Sequence, residues 1–345
     1  MEENIAIRCI SEKSKGFGNF SRSLTLSKNL KKKGFKVDFI INSNEYLESS
    51  LKKEKFDYII IPKKINFKNE DSFLIKKYVE KKYKIIILDM REYGEQLSKK
   101  LSKYIPIVLI DDAFSKNVYS DIIINGSINK KFHNYIIKNN KNKKYLGPNF
   151  FMANNNFLKN KKKQIEIKKK NKYKIIISIG GSDPNQLTMY ILKSIVIIPN
   201  IKIVIIVGPF FKNINKIIDT CKNFKNVEVK YSPIKIWNEF KKADIVISKS
   251  GITLYELAIM GIPTICISSF KHEEPSAKEF MKKKFLINLG MQKNVNKNQI
   301  KLELVKILKD TKKRKIMSIQ GRKIVDGRGL ERVTKIIESF LIKIN

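Results

Sequence analysis

The chain of 345 residues contains little of what disulfide-bonded, zinc-binding or membrane-spanning proteins need. Its three cysteines, Cys9, Cys221 and Cys266, form no CxxC pair, and its two histidines are His133 and His272. Buried free thiols in a reducing compartment explain these cysteines best, and a zinc site is not expected. The chain has no run of about 18 uncharged apolar residues, so no membrane-spanning helix is predicted.

The first residues also lack the short apolar segment behind basic residues that marks a secretory signal. We therefore expect a cytoplasmic protein. A chain of this length, 42% hydrophobic, is too long for one ordinary core and suits two domains of about 150–180 residues each.

Acidic residues are few, and arginine is scarce among the basic ones. The net charge is +39, yet 64 of the 71 basic residues are lysine and only seven are arginine. Nucleic-acid recognition favours the forked guanidinium of arginine, and asparagine and isoleucine are as abundant as the codon bias of an AT-rich genome would make them. No specific nucleic-acid partner is therefore expected. The positive charge could still attract the protein to the surface of an anionic membrane, or attract an anionic substrate to the protein.

Short apolar runs alternate with helix-like segments along the whole chain. The runs predicted as strands are 5–10, 36–41, 58–61, 84–88, 106–110 and 121–124 in the first half, and 174–179, 202–207, 227–231, 244–248 and 264–267 in the second. Continuous Ile/Val runs separated by helices are typical of parallel sheets covered on both faces. We predict an α/β protein with two Rossmann-like, doubly wound domains facing each other across a cleft.

A polar, lysine-rich segment separates the two halves, as is typical of a solvated connection. We predict an N-terminal domain over residues 1–158, a linker over 159–172 and a C-terminal domain over 173–345, helical beyond Asn298. In open α/β sheets ligands bind beyond the carboxyl ends of the strands. The residues that follow each strand are therefore the candidates for chemistry.

A glycine-rich turn containing Gly16 and Gly18 follows the first predicted strand and precedes a helix. The free N–H groups and dipole at a helix start suit a phosphate, and glycine allows close approach to the backbone. An ordinary turn with Asn19 as the N-cap explains the same residues. Arg22, one turn into the helix, either reaches a phosphate or faces solvent.

A second such turn, about 165 residues later, contains Gly180, Gly181 and Ser182, followed by Asp183 and Pro184. The last two predict a helix start, with a capping carboxylate before a proline at the first helical position. Two glycines exceed what a cap needs. The turn is therefore predicted to face a ligand.

A third segment places Ser250 and Gly251 after a predicted strand, with Thr253 and Glu256 at the start of the next helix. The carboxylate of Glu256 could accept both hydroxyls of a ribose. Alternatively, Thr253 and Glu256 form a capping box that satisfies the N–H groups of the helix. One carboxylate cannot fully serve both roles.

Further polar residues follow other predicted strands. Asp89 ends one strand, Asp111 and Asp112 end another, and His272 with Glu273 follows the strand at 264–267. The aspartates could act as acids or bases or could cap the turns that follow. A loop histidine is often incidental.

At these motifs the chain resembles the glycosyltransferase-B (GT-B) superfamily. Within it, the chain is similar to the branch of the pseudaminic-acid pathway UDP-sugar hydrolase and the spore-coat polysaccharide biosynthesis proteins, and more distantly to the lipid I N-acetylglucosaminyltransferase. The segments that carry the resemblance are 16–18 with Arg22, 110–112, 147–150, 180–183, 250–258, and 326–329 with Arg332.

This resemblance implies that UDP is bound mainly by the C-terminal domain. Glu256 would contact the ribose, the turns at 180–182 and 250–251 would lie near the diphosphate, and the sugar would project toward residues 16–19. The hydrolases carry a histidine base where this chain has Asn19, and an amide can orient a hydroxyl but cannot accept its proton. His272 aligns with an asparagine of the family. The catalytic candidates are therefore Asn19, His272 and Asp111, and the substrate-binding candidates include Glu273.

The resemblance thus implies an enzyme of cell-surface glycan biosynthesis that cleaves the bond between a sugar and UDP. Its nucleophile is the hydroxyl of an acceptor sugar or lipid in a glycosyltransferase, or water in a hydrolase. The alternative is a non-catalytic nucleotide-sugar-binding protein that has lost its base. Neither a metal nor another cofactor is required if backbone N–H groups and helix dipoles stabilise the leaving diphosphate.

Overall fold

The computed structural model divides into two compact units. Unit 1 comprises residues 1–154 and 328–345, and unit 2 comprises residues 155–327. The residues that the structure describes are 4–10, 18–66, 69–90, 93–112, 115–161, 167–212 and 214–344.

Most of unit 1 consists of strands that alternate along the chain with helices and form a parallel sheet. In chain order its elements are β1 (Asn4–Cys9), α1 (Gly18–Lys32), β2 (Lys36–Asn42), α2 (Glu45–Lys53), β3 (Asp57–Ile61), α3 (Glu70–Glu80), β4 (Tyr83–Asp89), α4 (Gly94–Leu101), β5 (Ile107–Ile110), β6 (Asn117–Val118), β7 (Ile122–Asn125), β8 (Ile136–Ile137) and β9 (Lys143–Leu146). The main sheet has the order β3-β2-β1-β4-β5-β7-β9, and β6 pairs separately with β8.

Unit 2 repeats this architecture. Its elements are α5 (Asn155–Asn160), β10 (Tyr173–Ser178), α6 (Leu187–Ile195), β11 (Ile201–Val207), α7 (Ile214–Lys222), β12 (Val227–Tyr231), α8 (Ile236–Lys242), β13 (Ile245–Ser248), α9 (Ile252–Met260), β14 (Thr264–Ser268), α10 (Glu274–Lys282), β15 (Leu286–Met291), α11 (Lys297–Lys309) and α12 (Thr311–Ile324). The strands are parallel in the order β12-β11-β10-β13-β14-β15.

The central strands are buried on both faces, which is why they read as continuous apolar runs. All eleven predicted strands are present, and each boundary agrees within one residue. The predicted doubly wound α/β architecture is therefore confirmed. The strand order reverses between β1 and β4 in unit 1 and between β10 and β13 in unit 2, and these reversals are where open α/β sheets bind ligands.

The end of the chain differs from the predicted C-terminal domain. The last helix, α13 (Gly329–Ile344), belongs to unit 1. Its apolar face, which includes Leu330 and Ile337, joins the core that also contains Leu26 of α1, and Asn29 donates a 2.8 Å hydrogen bond to the hydroxyl of Thr334. The division at Asn154 also assigns α5 to unit 2. No helix in the described parts of the chain has the length and apolarity to cross a membrane.

Candidate functional site

In unit 2 two of the predicted ligand-facing turns lie side by side. Ser178 and Ser248 are paired at the carboxyl ends of β10 and β13, and the hydroxyl of Ser248 donates a 2.7 Å hydrogen bond to the Ser178 carbonyl. A Cβ at Gly180 would lie 3.7 Å from the Cε of Lys249. The point where the strand order reverses therefore brings together residues 180–182 and 249–251. That these turns face a ligand stays a prediction.

The glycines in and beside the first turn differ in whether the backbone or the packing requires glycine. Gly180 has a φ of +91°, which favours glycine. A Cβ at Gly208, just after β11, would lie 2.4 Å from the Gly180 carbonyl oxygen, so Gly208 is required by close packing. At Gly181 a Cβ would only touch Phe210, at 3.8 Å. Packing thus leaves room for a side chain at Gly181, and its neighbour Ser182 is partly exposed.

The start of α6 is already occupied by a protein carboxylate. Asp183 accepts hydrogen bonds from the backbone N–H groups of Leu187, at 2.9 Å, and Thr188, at 2.7 Å. The prediction of Asp183 as the N-cap and Pro184 as the first helical residue is wrong, because α6 begins at Leu187 and its N-cap is Gln186. Asp183 nevertheless satisfies the first N–H groups of the helix from three residues further upstream. A helix start that holds a carboxylate is not available to a phosphate.

The start of α9 is different. Gly251 is its N-cap, and no side chain within the described ranges caps the helix. Among the residues that the structure describes, none would come within 4 Å of a Cβ at Gly251, and its φ of 163° is ordinary extended backbone. Neither packing nor conformation therefore demands glycine here. The first N–H groups of α9 and the positive end of its dipole thus lie beside the glycine turn at 180–181.

The capping box proposed for Thr253 and Glu256 is wrong. Because α9 begins at Ile252, these residues are the second and fifth of the helix rather than its N-cap and third residue. Glu256 is half-buried, and within the described residues no group donates a hydrogen bond to its carboxyl. Burial raises the pKa of Glu256 to about 8. This carboxyl is therefore desolvated without a partner in the part of the chain that the structure describes.

Glu273 supports the loop that follows β14. Its Oε2 accepts hydrogen bonds from the backbone N–H groups of Ser269, at 2.8 Å, and Phe270, at 3.1 Å. Its Oε1 lies 3.6 Å from the Nζ of Lys249. These contacts explain the burial of Glu273 without a ligand, and its substrate-binding role stays a prediction. His272 is exposed, and its ring stacks on that of Phe270 at 5.7 Å.

Lys249 is a residue that the sequence analysis missed. Its Nζ lies 5.7 Å from the centre of the Phe270 ring as well as near Glu273, and its side chain is 20% exposed. An ammonium held between an aromatic face and a carboxylate has a restricted position. Its place directly before Ser250 and Gly251, at the end of a buried strand, was the signal that could have identified it.

In unit 1 the reversal between β1 and β4 carries a charged network. Asp89, at the end of β4, accepts hydrogen bonds from Asn19 at 3.0 Å, from Ser23 at 2.8 Å and from the Nε of Arg22 at 3.0 Å. Arg22 also donates to both oxygens of Asp112, at 2.6 and 3.0 Å. Gly16 lies outside the described residues. Because α1 begins at Gly18, Asn19 is inside the helix and is not its N-cap.

Arg22 is buried in this network and does not face solvent. Burial opposes its charge, but Asp112 and Asp89 outweigh that effect and raise the pKa of Arg22 well above its ordinary value. Burial raises the pKa of Asp89, and the guanidinium of Arg22 opposes that shift. The guanidinium is thus hydrogen-bonded to two carboxylates. These bonds do not support contact between Arg22 and a phosphate, which stays a prediction.

Asp111 is held by the turn that follows it. It accepts hydrogen bonds from the backbone N–H and the hydroxyl of Ser115, at 3.1 and 2.9 Å, and from the hydroxyl of Tyr135, at 2.7 Å. Tyr135 accepts a further bond from the amide of Asn125. These contacts match the capping alternative for Asp111, whose catalytic role stays a prediction.

Two parallel α/β units, each with polar residues at the reversal of its strand order, define an α/β protein of the GT-B class. Residues 149–328 match the model of the glycosyltransferase family 28 C-terminal domain, and the chain belongs to this family. It is 26% identical over 335 residues to the spore coat polysaccharide biosynthesis protein SpsG of Bacillus subtilis (strain 168), covering 94% of this chain and 95% of that protein.

Solved structures share the fold. Acinetobacter baumannii MurG has a TM-score of 0.69 at 12% identity, over 98% of this chain and 99% of that one. Anabaena Alr3699/HepE in complex with UDP-glucose has a TM-score of 0.61 at 10% identity, over 97% and 99%. The GT-B fold predicted from the sequence is confirmed.

Proposed function

We propose that the protein is a glycosyltransferase of glycan biosynthesis that takes its sugar from a UDP-sugar. The UDP group binds at the carboxyl edge of the sheet in unit 2. The observation that carries this proposal is the start of α9, which no side chain of the described residues caps. It lies beside the glycine turn at 180–181 and one helical turn before the carboxyl of Glu256, which has no hydrogen-bond partner among the same residues.

The diphosphate is assigned to the start of α9. Backbone N–H groups and the helix dipole stabilise negative charge there, whereas the start of α6 is filled by Asp183. The partly exposed ammonium of Lys249 adds a positive charge at the same edge. These groups also stabilise the charge that develops on the diphosphate when it leaves the sugar.

The ribose is assigned to Glu256. This residue lies four positions past Ile252, about 6 Å along the helix axis, so that a diphosphate at the helix start would leave the ribose near its carboxyl. Ribose hydroxyls would donate the hydrogen bonds that this carboxyl lacks among the described residues. The family match and the complex of HepE with UDP-glucose support the same ligand class.

The reaction moves the sugar from the diphosphate to a hydroxyl acceptor. The oxygen of the acceptor forms a bond to the anomeric carbon, the bond from that carbon to the diphosphate oxygen breaks, and the acceptor proton is removed. Membership of a glycosyltransferase family favours an acceptor over water as the nucleophile. Cell-surface polysaccharide is the product class that the SpsG relative suggests.

The test is release of UDP from a panel of UDP-hexoses, including UDP-glucose and UDP-N-acetylglucosamine, with and without sugar and lipid-linked acceptors. We expect release that depends on an acceptor. Equal release in water alone would identify a hydrolase, and tight binding of UDP-sugars without turnover would identify a non-catalytic binding protein. Either of these outcomes would overturn the proposal.

A further inference from the structure

We propose that Lys249 makes the UDP site of unit 2 selective for a diphosphate over a monophosphate, by donating hydrogen bonds to the second phosphate. The inference rests on the proposed function, which assigns the ribose to Glu256 and the diphosphate to the start of α9. It adds the residue that distinguishes ligands by the length of their phosphate chain. Every contact that carries it lies within unit 2.

The ammonium of Lys249 is largely buried, yet no protein oxygen in the described part of the chain accepts a hydrogen bond from it. The side chain is 20% exposed, and Oε1 of Glu273 lies 3.6 Å from its Nζ. This distance suits an ion pair but exceeds the N–O distance of a good hydrogen bond, which is about 2.7–3.2 Å. A lysine ammonium has three N–H donors, and buried donors are normally bonded. The unused donors of Lys249 therefore indicate an anionic ligand at this position.

The position of this ammonium is fixed before a ligand arrives. The Cε of Lys249 would lie 3.7 Å from a Cβ at Gly180, so the side chain runs beside the glycine turn. Its Nζ lies 5.7 Å from the centre of the Phe270 ring, and Glu273 is itself held by two backbone N–H groups of the loop after β14. A donor that is already held in place loses little conformational entropy when it binds a phosphate.

The order of residues in this segment assigns Lys249 to the second phosphate. Glu256 lies one turn inside α9, the helix begins at Ile252, and Lys249 precedes that start by three residues. A ligand whose ribose is at Glu256 therefore meets the helix start with its first phosphate and Lys249 with its second. A monophosphate reaches the N–H groups of the helix but not the ammonium.

The carboxylate of Glu273 limits what Lys249 contributes. The two side chains form a formally neutral pair, so their net charge does not attract a phosphate from a distance. The contribution of Lys249 is its N–H donors, and hydrogen bonds from a charged donor to a phosphate are roughly twice as strong as neutral ones. Such bonds act only on a group in contact with the ammonium. The effect of Lys249 should therefore appear as a difference between ligands with and without a second phosphate.

The test is calorimetric titration of UDP and of UMP into the wild type, Lys249→Met and the matched control Lys174→Met. Methionine keeps an unbranched, flexible side chain without the charge. Lys174, in the same unit, is 19% exposed and pairs with Glu239 at 3.1 Å. In Lys249→Met we expect UDP affinity to fall about 10–100-fold, the range for a hydrogen bond to a charged group, and UMP affinity to stay within about threefold. Lys174→Met should leave the ratio of the two affinities unchanged.

Loss of the cation leaves Glu273 largely buried without its partner, which destabilises a fold. The double variant Lys249→Met/Glu273→Gln removes that carboxylate as well, and we expect it to lose UDP affinity relative to UMP as the single variant does. A parallel loss of both affinities in the two variants, an unchanged ratio in Lys249→Met, or equal affinity of the wild type for UDP and UMP would overturn this inference alone. No binding of UDP by the wild type would overturn the proposed function together with it.

Discussion

The hydroxyl of Ser248, at the end of β13, donates a 2.7 Å hydrogen bond to the carbonyl oxygen of Ser178, at the end of β10. This bond joins the two strands at the reversal of the unit 2 sheet and thereby fixes the turns at 180–182 and 249–251 relative to each other. The position of the proposed diphosphate site depends on it.

Ser248→Ala should therefore lower the free energy of unfolding by about 1 kcal/mol and should weaken UDP binding several-fold. The matched control is Ser194→Ala, which removes a 2.7 Å bond that the hydroxyl of another buried serine makes inside α6. Urea unfolding and calorimetric titration with UDP measure both effects. Equal UDP affinity in Ser248→Ala and Ser194→Ala would show that this bond does not organise the site.

A second prediction compares two glycines of unit 2. A Cβ at Gly251 meets open space, whereas one at Gly208 would lie 2.4 Å from the carbonyl oxygen of Gly180. Gly251→Ala should keep the wild-type Tm and weaken UDP binding, because the methyl group would stand where we place the diphosphate. Gly208→Ala should lower both Tm and affinity. Thermal unfolding and calorimetry check the pair, and undiminished affinity in Gly251→Ala would argue against a ligand at the start of α9.

The third prediction concerns pH. Burial raises the pKa of Glu256 from 4.5 to about 8, so the native state favours the protonated carboxyl. Stability is then lost as pH rises from about 4.5 to about 8, because the unfolded chain ionises this group more readily. Glu256→Gln removes that loss, and its stability relative to the wild type should increase between pH 5 and pH 8. A difference that does not change with pH would contradict the unpartnered state of this carboxyl.

The fourth prediction tests the buried network of unit 1. Arg22→Ala leaves Asp89 buried without its cation, which should cost about 3–5 kcal/mol of stability at pH 8. The loss should be smaller at pH 5, because a buried carboxyl without a counter-charge can take up a proton. Arg332→Ala removes a partly exposed arginine of the same unit, which donates a 3.0 Å hydrogen bond to the carbonyl of Asn149, and should cost about 1 kcal/mol. Urea unfolding at both pH values measures the difference, and a loss independent of pH would show that Asp89 does not carry the effect.

The central strands of both sheets could be predicted because continuous Ile/Val runs between helices are typical of parallel strands that are buried on both faces. It missed β9 and β15, which lie at the edges of their sheets. There one side of the strand is partly exposed, and the apolar run is interrupted by residues such as Lys144 and Asn288. The periodicity of α13 predicted a helix but could not show that its apolar face packs in unit 1.

The parts of the candidate site that are formed by residues close together in the sequence could be predicted. Glycine turns after strands, and polar residues at strand ends, identified the edges of both sheets. The partners of Arg22 were not predictable, because Asp89 and Asp112 lie 67 and 90 residues away in the chain. The prediction of a capping box was wrong because of an error of two residues in the helix start. Thr253 and Glu256 have the spacing of a capping box, but α9 begins at Ile252, before Thr253.

The central claim is that unit 2 binds UDP through the start of α9 and Glu256. Calorimetric titration of UDP into the wild type, Glu256→Ala and the surface control Glu279→Ala tests it most directly. We predict measurable binding to the wild type and to Glu279→Ala, and binding to Glu256→Ala that is weaker by about 1–3 kcal/mol. No heat of binding to the wild type, or equal affinity for all three proteins, would contradict the account.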